Sequence, residues 1–210
     1  MRVAILGGTG SFGHAIAARL VACGQDEVVI GSRDAERARA VAAELGGGAT
    51  GASNEDSVAG ADLVVLAVKA DAALATAAAV SAALGTTPLL SVATALSFTK
   101  GGVLPDPEAL SLAERVAAIV AGPVVAGLHS VAAVNLIDAP PEEDALICGD
   151  DAAAKALAIE LSARIVAGHS LDAGPLASAR ALEGMTAVIV NVNRRYKAHA
   201  GIRMTGIPET

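Results

Sequence analysis

The sequence predicts an α/β fold with a doubly wound parallel sheet, and two observations carry that expectation. A short apolar run at the amino terminus leads straight into a glycine-rich turn. Apolar runs of strand length then alternate with alanine-rich helical stretches. The regularity lapses from Ala93, directly after a strand end, in a stretch that carries Gly101, Gly102, Pro105 and Pro107, as a loop covering a site would.

The first strand holds Val3, Ala4, Ile5 and Leu6, apolar without alternation, the pattern of a strand covered on both faces. Gly8, Gly10 and Gly13 then match G-x-G-x-x-G between a strand and a helix, the setting in which that spacing has meaning. There Gly8 is expected to make the tight turn, Gly10 to let the backbone approach a pyrophosphate, and Gly13 to let helix and strand pack closely. The following helix, through His14 to Ala22, aims free amides and its positive dipole end at the same pyrophosphate. Thr9, Ser11 and Phe12 lie inside this loop and join the candidate nucleotide contacts.

The second strand, Glu27 to Ile30, ends in Gly31, Ser32 and Arg33. An NAD-binding unit places an acid about 20 residues past the glycines for the ribose hydroxyls, whereas an NADP-binding unit accommodates a phosphate with Arg. Ser32 and Arg33 fill the acidic position, and Arg37 follows four residues on, so NADP is expected. The competing reading makes Arg33 and Arg37 solvated helix charges and Asp34 a plain N-cap.

A helix over Ala35 to Leu45, a turn at Gly46 to Gly48, a strand near Ala49 to Ala52 and a short helix over Asn54 to Ala59 follow. The clearest strand, Leu63 to Val68, brings Val68 and Lys69 to the edge of the glycine loop, and ligands of open parallel sheets bind beyond the carboxyl ends of strands. Helix Ala70 to Leu84 and strand Leu89 to Val92 continue the alternation. Within the irregular stretch, Lys100 either meets a phosphate or is simply solvated. Ser111 or Asp106 starts a helix to Ala121, and the strand Pro123 to Leu128 ends in His129, Ser130 and Val131. A strand over Ala145 to Cys148, a helix over Ala152 to Ala163 begun by Asp150 and Asp151, a last strand over Ile165 to Leu171 and a long helix from Leu176 to about Ala198 complete the chain. The expected organisation is a Rossmann-like nucleotide-binding domain over 1–148, with a small C-terminal α/β addition over 149–210 docked onto it and ending in the long helix.

Composition narrows the function. A formal net charge of −7 argues against nucleic acid, whose phosphates need a basic surface. Mean hydropathy is +0.55, yet the uncharged stretches are broken by Gly85 to Pro88 and by Gly122, Pro123 and His129, so each reads as helix, turn and buried strand, not as a membrane span. The chain opens on a strand and not a signal peptide, so a cytoplasmic protein is expected. Cys23 and Cys148 are too few and isolated for a disulfide framework or a zinc site, and no metal is expected. Roughly a quarter of the residues are alanine and there is no Trp, so flat ligand rings must lie between aliphatic side chains and backbone.

The segments AILGGTGSFG, VVIGSRD, ADLVVLAV, GLHSVAAVNL, ALICGDD and LDAGPLASARALEGMTAVIVNVN together resemble the NADPH-dependent coenzyme F420 reductases, or F420H2:NADP oxidoreductases. The resemblance runs along nearly the whole chain, and ICGDD and LDAGPL are its more specific part because they lie outside the generic nucleotide half. It implies NADP and coenzyme F420 as the two small-molecule partners, with a hydride passed between NADP and an 8-hydroxy-5-deazaflavin lying against the nicotinamide. It further implies that Thr9, Ser32, Arg33 and Arg37 take the adenosine phosphate, and that His129, Ser130, Val131, Met185 and Thr186 form the deazaflavin pocket. Archaeal members carry H-T-I-P and a tryptophan where this chain has His129, Ser130, Val131, Ala132 and Val68, Lys69, Ala70, so the departures sit near the second ligand. Two redox rings need no dedicated acid or base, so His129, Ser130, Val131 and Thr186 are expected to position, and no residue to act as a general base.

Two further expectations concern the last helix. Arg194, Arg195, Lys197 and Arg203 have no acid between Arg194 and Arg203. This patch, or Arg180, could take the phosphate and polyglutamate tail of F420, against the plainer reading of cations at a helix C-terminus. Its apolar face suits a homodimer. The alternatives to an F420 reductase are an NADPH-dependent flavin or ferric reductase, or a non-catalytic NADP sensor.

Overall fold

The computed structural model describes residues 1–208; residues 209–210, the end of the expected C-terminal addition, lie outside them. Eight strands form one sheet: β1 (Arg2–Leu6), β2 (Glu27–Ser32), β3 (Thr50–Ser53), β4 (Leu63–Leu66), β5 (Leu89–Ser91), β8 (Val124–Gly127), β9 (Ala145–Gly149) and β10 (Ser170–Asp172), while β6 (Leu96–Thr99) and β7 (Gly102–Pro105) pair as a separate hairpin. Their order is β10-β9-β8-β5-β4-β1-β2-β3, parallel except where β9 runs antiparallel to β8. The chain winds outward from β1 through β2 to β3, then returns to β4 on the other side of β1. That reversal opens a crevice beyond the carboxyl ends of β1 and β4, where such sheets bind ligands.

Of the helices α1 (Ser11–Cys23), α2 (Ala35–Leu45), α3 (Asn54–Ser57), α4 (Ala70–Leu84), α5 (Leu112–Ala117), α6 (Ala152–Ile165) and α7 (Ala179–Tyr196), α2, α3, α5 and α6 are begun by a side-chain cap that their sequence offers. Asp34 accepts from the Glu36 and Arg37 amides at 3.0 and 3.1 Å, and Asp151 accepts from Ala154 at 2.8 Å. Of the two candidates to start α5, Ser111 does so in a capping box with Glu114, while Asp106 pairs with Arg115 at 2.6 Å. Two apolar clusters fill the layers. Val3, Ile5, Leu63 and Val65 point into one, with α1, α2 and α6; Ala4, Leu6, Val64 and Leu66 point into the other, with α4 and α5. The odd and even residues of β1 and β4 therefore serve opposite faces, which is why neither strand shows polar alternation.

Several element boundaries differ from expectation. The strand expected over Ile165 to Leu171 is only Ser170–Asp172, because α6 continues to Ile165, whose side chain is fully buried in the α1-side cluster. The expected long last helix is divided: Leu176–Ser178 is a 3-10 turn, and α7 proper starts at Ala179. The expected boundary at 148/149 falls inside β9, and β10 pairs with β9 to extend the same sheet. The stretch after Ala93 is not irregular throughout: β6 and β7 form a hairpin laid on α7. Asn191 holds it there by imitating a strand, accepting from the Val103 amide at 2.8 Å and donating to the Val103 carbonyl at 2.7 Å.

Candidate nucleotide and ring site

The glycine loop folds back on itself after β1. Gly7, with φ of +81°, takes the left-handed conformation of the tight turn, a role the spacing had assigned to Gly8. Gly8 instead packs on β2, where an added Cβ would come within 3.0 Å of Ile30. Gly13 has the expected role, since a Cβ there would lie 2.5 Å from the Gly7 carbonyl oxygen. Gly10 is the N-cap of α1 and Ser11 begins its first turn, both exposed, so unpaired amides of the helix start face outward at the crevice.

At the end of β2, Ser32 is buried and its Oγ accepts from the Asp34 amide at 3.2 Å. Arg33 and Arg37 are exposed, and Arg37 reaches across to donate to the Thr9 carbonyl at 3.5 Å. Two cations and a hydroxyl thus flank the outer end of the glycine loop with no acid at the ribose position, a donor set that fits a 2′-phosphate. Asp34 caps α2, and Arg37 leans onto the loop.

The inner end of the crevice opens into a slot of about 270 Å³ lined by Phe12, Ala67 to Ala70, Val92 to Thr94, Leu128, His129, Val131, Ala133 and Thr186. Its walls come from the ends of β4, β5 and β8 and from the middle of α7. Leu128 adopts φ of +62°, a costly conformation for a branched side chain, and this turn sets His129 against the slot. His129 is 6% exposed; its Nδ1 lies 3.0 Å from Thr94 Oγ1, and its carbonyl accepts from Thr186 Oγ1 at 2.9 Å. Its Nε2 is buried and has no hydrogen-bond partner among the described residues. Burial lowers the His129 pKa to about 4, so the ring is neutral near pH 7.

The slot therefore gathers Phe12, Val68, Lys69, His129, Val131 and Thr186 from the expected set. It does not gather Ser130, whose buried Oγ donates to the Asp144 carbonyl at 2.9 Å, or Met185, which packs against the α4-side cluster. Thr94 and Leu128 were missed. Both follow strand ends, so the carboxyl-edge rule that singled out Val68 and Lys69 reaches them as well. Among the described residues no group of three or more His, Cys, Asp or Glu side chains could hold a metal ion, and no helix is long and apolar enough to cross a membrane.

Residues 2–95 match the family model described as NADP oxidoreductase, coenzyme F420-dependent. Over its full length the chain is 33% identical to the F420-dependent NADP reductase of Methanothermobacter thermautotrophicus, covering 97% of that protein. This chain belongs to the F420-dependent NADP reductase family. The corresponding reductase of Methanocaldococcus jannaschii is 30% identical over 99% of both chains. Among solved structures, one from Arthrobacter sp. FB24, described as a candidate F420-dependent NADP-reductase, superposes with a TM-score of 0.83 at 26% identity and covers 97% of this chain and 100% of its own. The relatives span β8, β9, α6 and α7 as well as the nucleotide half, so the family reductase fold includes the slot wall that carries His129 and Thr186.

Proposed function

We propose that this family member is an NADPH-dependent F420 reductase, an enzyme that binds NADP along the glycine loop and the deazaflavin in the slot, and reacts the two rings face to face. The observation that carries the reading is the position of the slot. It continues the nucleotide crevice past Ala67 to Ala70, on the side where a nicotinamide would emerge, and its far wall is His129, Val131 and Thr186. The buried, unpartnered Nε2 of His129 gives a polar group of the second ring one fixed point in an otherwise largely apolar wall.

Gly10, Ser11 and the α1 amides hold the pyrophosphate, and Thr9, Ser32, Arg33 and Arg37 take the phosphorylated ribose. Val68, Lys69 and Phe12 border the nicotinamide. When bound, the two cofactors supply both ends of a hydride transfer; the chain supplies orientation and a dry surface. His129 is neutral and serves as a hydrogen-bonding group, not as a proton carrier, and among the described residues Lys69 is the one other titratable side chain that lines the slot. The unit over 149–208 contributes Thr186 of α7 to the ring-side wall, beside His129 and Val131. The apolar positions Val188 and Val192 on the outer face of α7 are 61% and 39% exposed, which supports a homodimer; sedimentation as a monomer at working concentration overturns it. The free Cys23 and Cys148 support a cytoplasmic location.

The test is a spectrophotometric assay in which NADPH and, separately, NADH are offered to oxidised F420 and to FMN. Rapid bleaching of the deazaflavin with NADPH alone is expected. Turnover of FMN but not F420 makes the protein a flavin reductase, and tight NADPH binding without turnover makes it a sensor.

A further inference from the structure

Residues far apart in sequence form a second, wholly different groove at the far end of α7. The tip of the β6–β7 hairpin, Thr99 to Gly102, faces Asn191, Arg194, Arg195 and Tyr196 across an open groove of about 580 Å³. Lys100, Arg194 and Arg195 bring three cations to it, and among the described residues no acid lines it. Among the described residues none of the three forms an ion pair, although most other arginines of this acidic chain do. Arg194 is held in place by its guanidinium lying 5.6 Å from the centre of the Phe98 ring, and the hairpin itself is pinned by Asn191. Three unneutralised cations with fixed backbones repel one another unless an anion joins them.

We propose that this groove is the subsite for the anionic tail of the ligand whose ring occupies the slot, taking its phosphodiester and carboxylate groups. The inference rests on the ring assignment above and adds a location for the rest of that ligand. The two sites share α7: Thr186 lines the slot, and Arg194 stands eight residues further on, about 12 Å along the helix axis. A tricyclic ring and a sugar-alcohol linker together cover about that distance, so one molecule spans both. A plain helix-dipole role accounts for Arg194 and Arg195 but not for Lys100, which comes from the hairpin.

The experiment compares F420 with the same deazaflavin lacking phosphate and glutamates, in wild type and in the triple variant Lys100→Ala, Arg194→Ala, Arg195→Ala. Binding is read by ligand fluorescence and turnover by NADPH oxidation. Expected is a rise of about tenfold or more in the dissociation constant of F420 in the variant, no change for the tail-less ring, and a loss of the wild-type preference for F420 at high salt. Equal affinity of wild type for the two ligands, or an F420 affinity unchanged by the triple substitution, overturns the subsite. So does an equal loss for both ligands, which marks a structural role. A protein that binds F420 selectively through this groove yet oxidises no NADPH overturns the reductase reading and leaves the subsite standing; inorganic phosphate competing with F420 but not with the tail-less ring separates the tail from a free anion site.

Discussion

Thr94 Oγ1 and His129 Nδ1 stand 3.0 Å apart, one at the end of β5 and one past the end of β8, so two neighbouring strands fix one imidazole between them. The direction of the proton in that bond determines whether the buried Nε2 is a donor or an acceptor.

Replacing Thr94 by Val keeps the volume and removes the hydroxyl. The KM for the deazaflavin is expected to rise about tenfold with little change for NADPH, and Thr94→Ser to restore it. An unchanged KM in Thr94→Val shows that the bond sets nothing the ligand senses.

The His129 pKa of about 4 bears on both stability and rate. The unfolded ring titrates near 6.5, so between those values the unfolded chain binds more protons and the fold loses stability as pH falls. The contribution is fully present above pH 6.5, is lost in full, about 3 kcal/mol, only below pH 4, and is reduced by about 2 kcal/mol at pH 5; it is absent in His129→Gln. Denaturant titrations of both proteins at pH 7.5 and 5 measure it. Turnover is expected to show no inflection from a catalytic histidine between pH 5.5 and 8; a bell with a limb near 6.5 that vanishes in His129→Gln refutes the positioning role.

Arg33 and Arg37 are expected to select NADPH. The double variant Arg33→Ala, Arg37→Ala should raise the KM for NADPH by ten- to a hundredfold, with little effect on NADH, as removal of two charge-assisted contacts implies. A parallel loss with both cofactors in steady-state assays means that the arginines act on the loop and not on the phosphate.

Gly13→Ala places a methyl 2.5 Å from the Gly7 carbonyl, where backbone on both sides resists movement. A loss of about 1–3 kcal/mol and a weakened nucleotide site are expected, checked by chemical denaturation and NADPH titration.

Glu183 on α7 is 4% exposed and accepts from the amides of Leu112 and Ala113 at 3.0 and 3.1 Å, tying α5 to the helix that carries Thr186. Burial raises its pKa, and those two hydrogen bonds oppose the rise. Glu183→Ala strands two buried amides, at a cost of about 2–4 kcal/mol and a fall in Tm of several degrees. Thermal melts that move by less than one degree show that water replaces the carboxylate without loss.

The sequence alone determined the nucleotide half, because that depends on local rules, and the family, because the resemblance runs along nearly the whole chain. A buried strand, a glycine turn and a helix start are neighbours in the chain, so RVAILGGTGSFG and the Ser32–Arg33 pair were legible without a fold. Even there, Gly7 took the turn assigned to Gly8, since the spacing specifies three glycines and the adjoining fourth was free to adopt positive φ. The tertiary structure decided what depends on distant pairings: that β9 turns antiparallel and β10 extends the main sheet, that Asn191 docks the hairpin on α7, that Thr94 meets His129 across 35 residues, and that Lys100 joins Arg194 and Arg195. It also drew Ser130 and Met185 away from the slot. Which face a residue presents after an irregular turn is set by what packs against it, and that partner lies elsewhere in the chain.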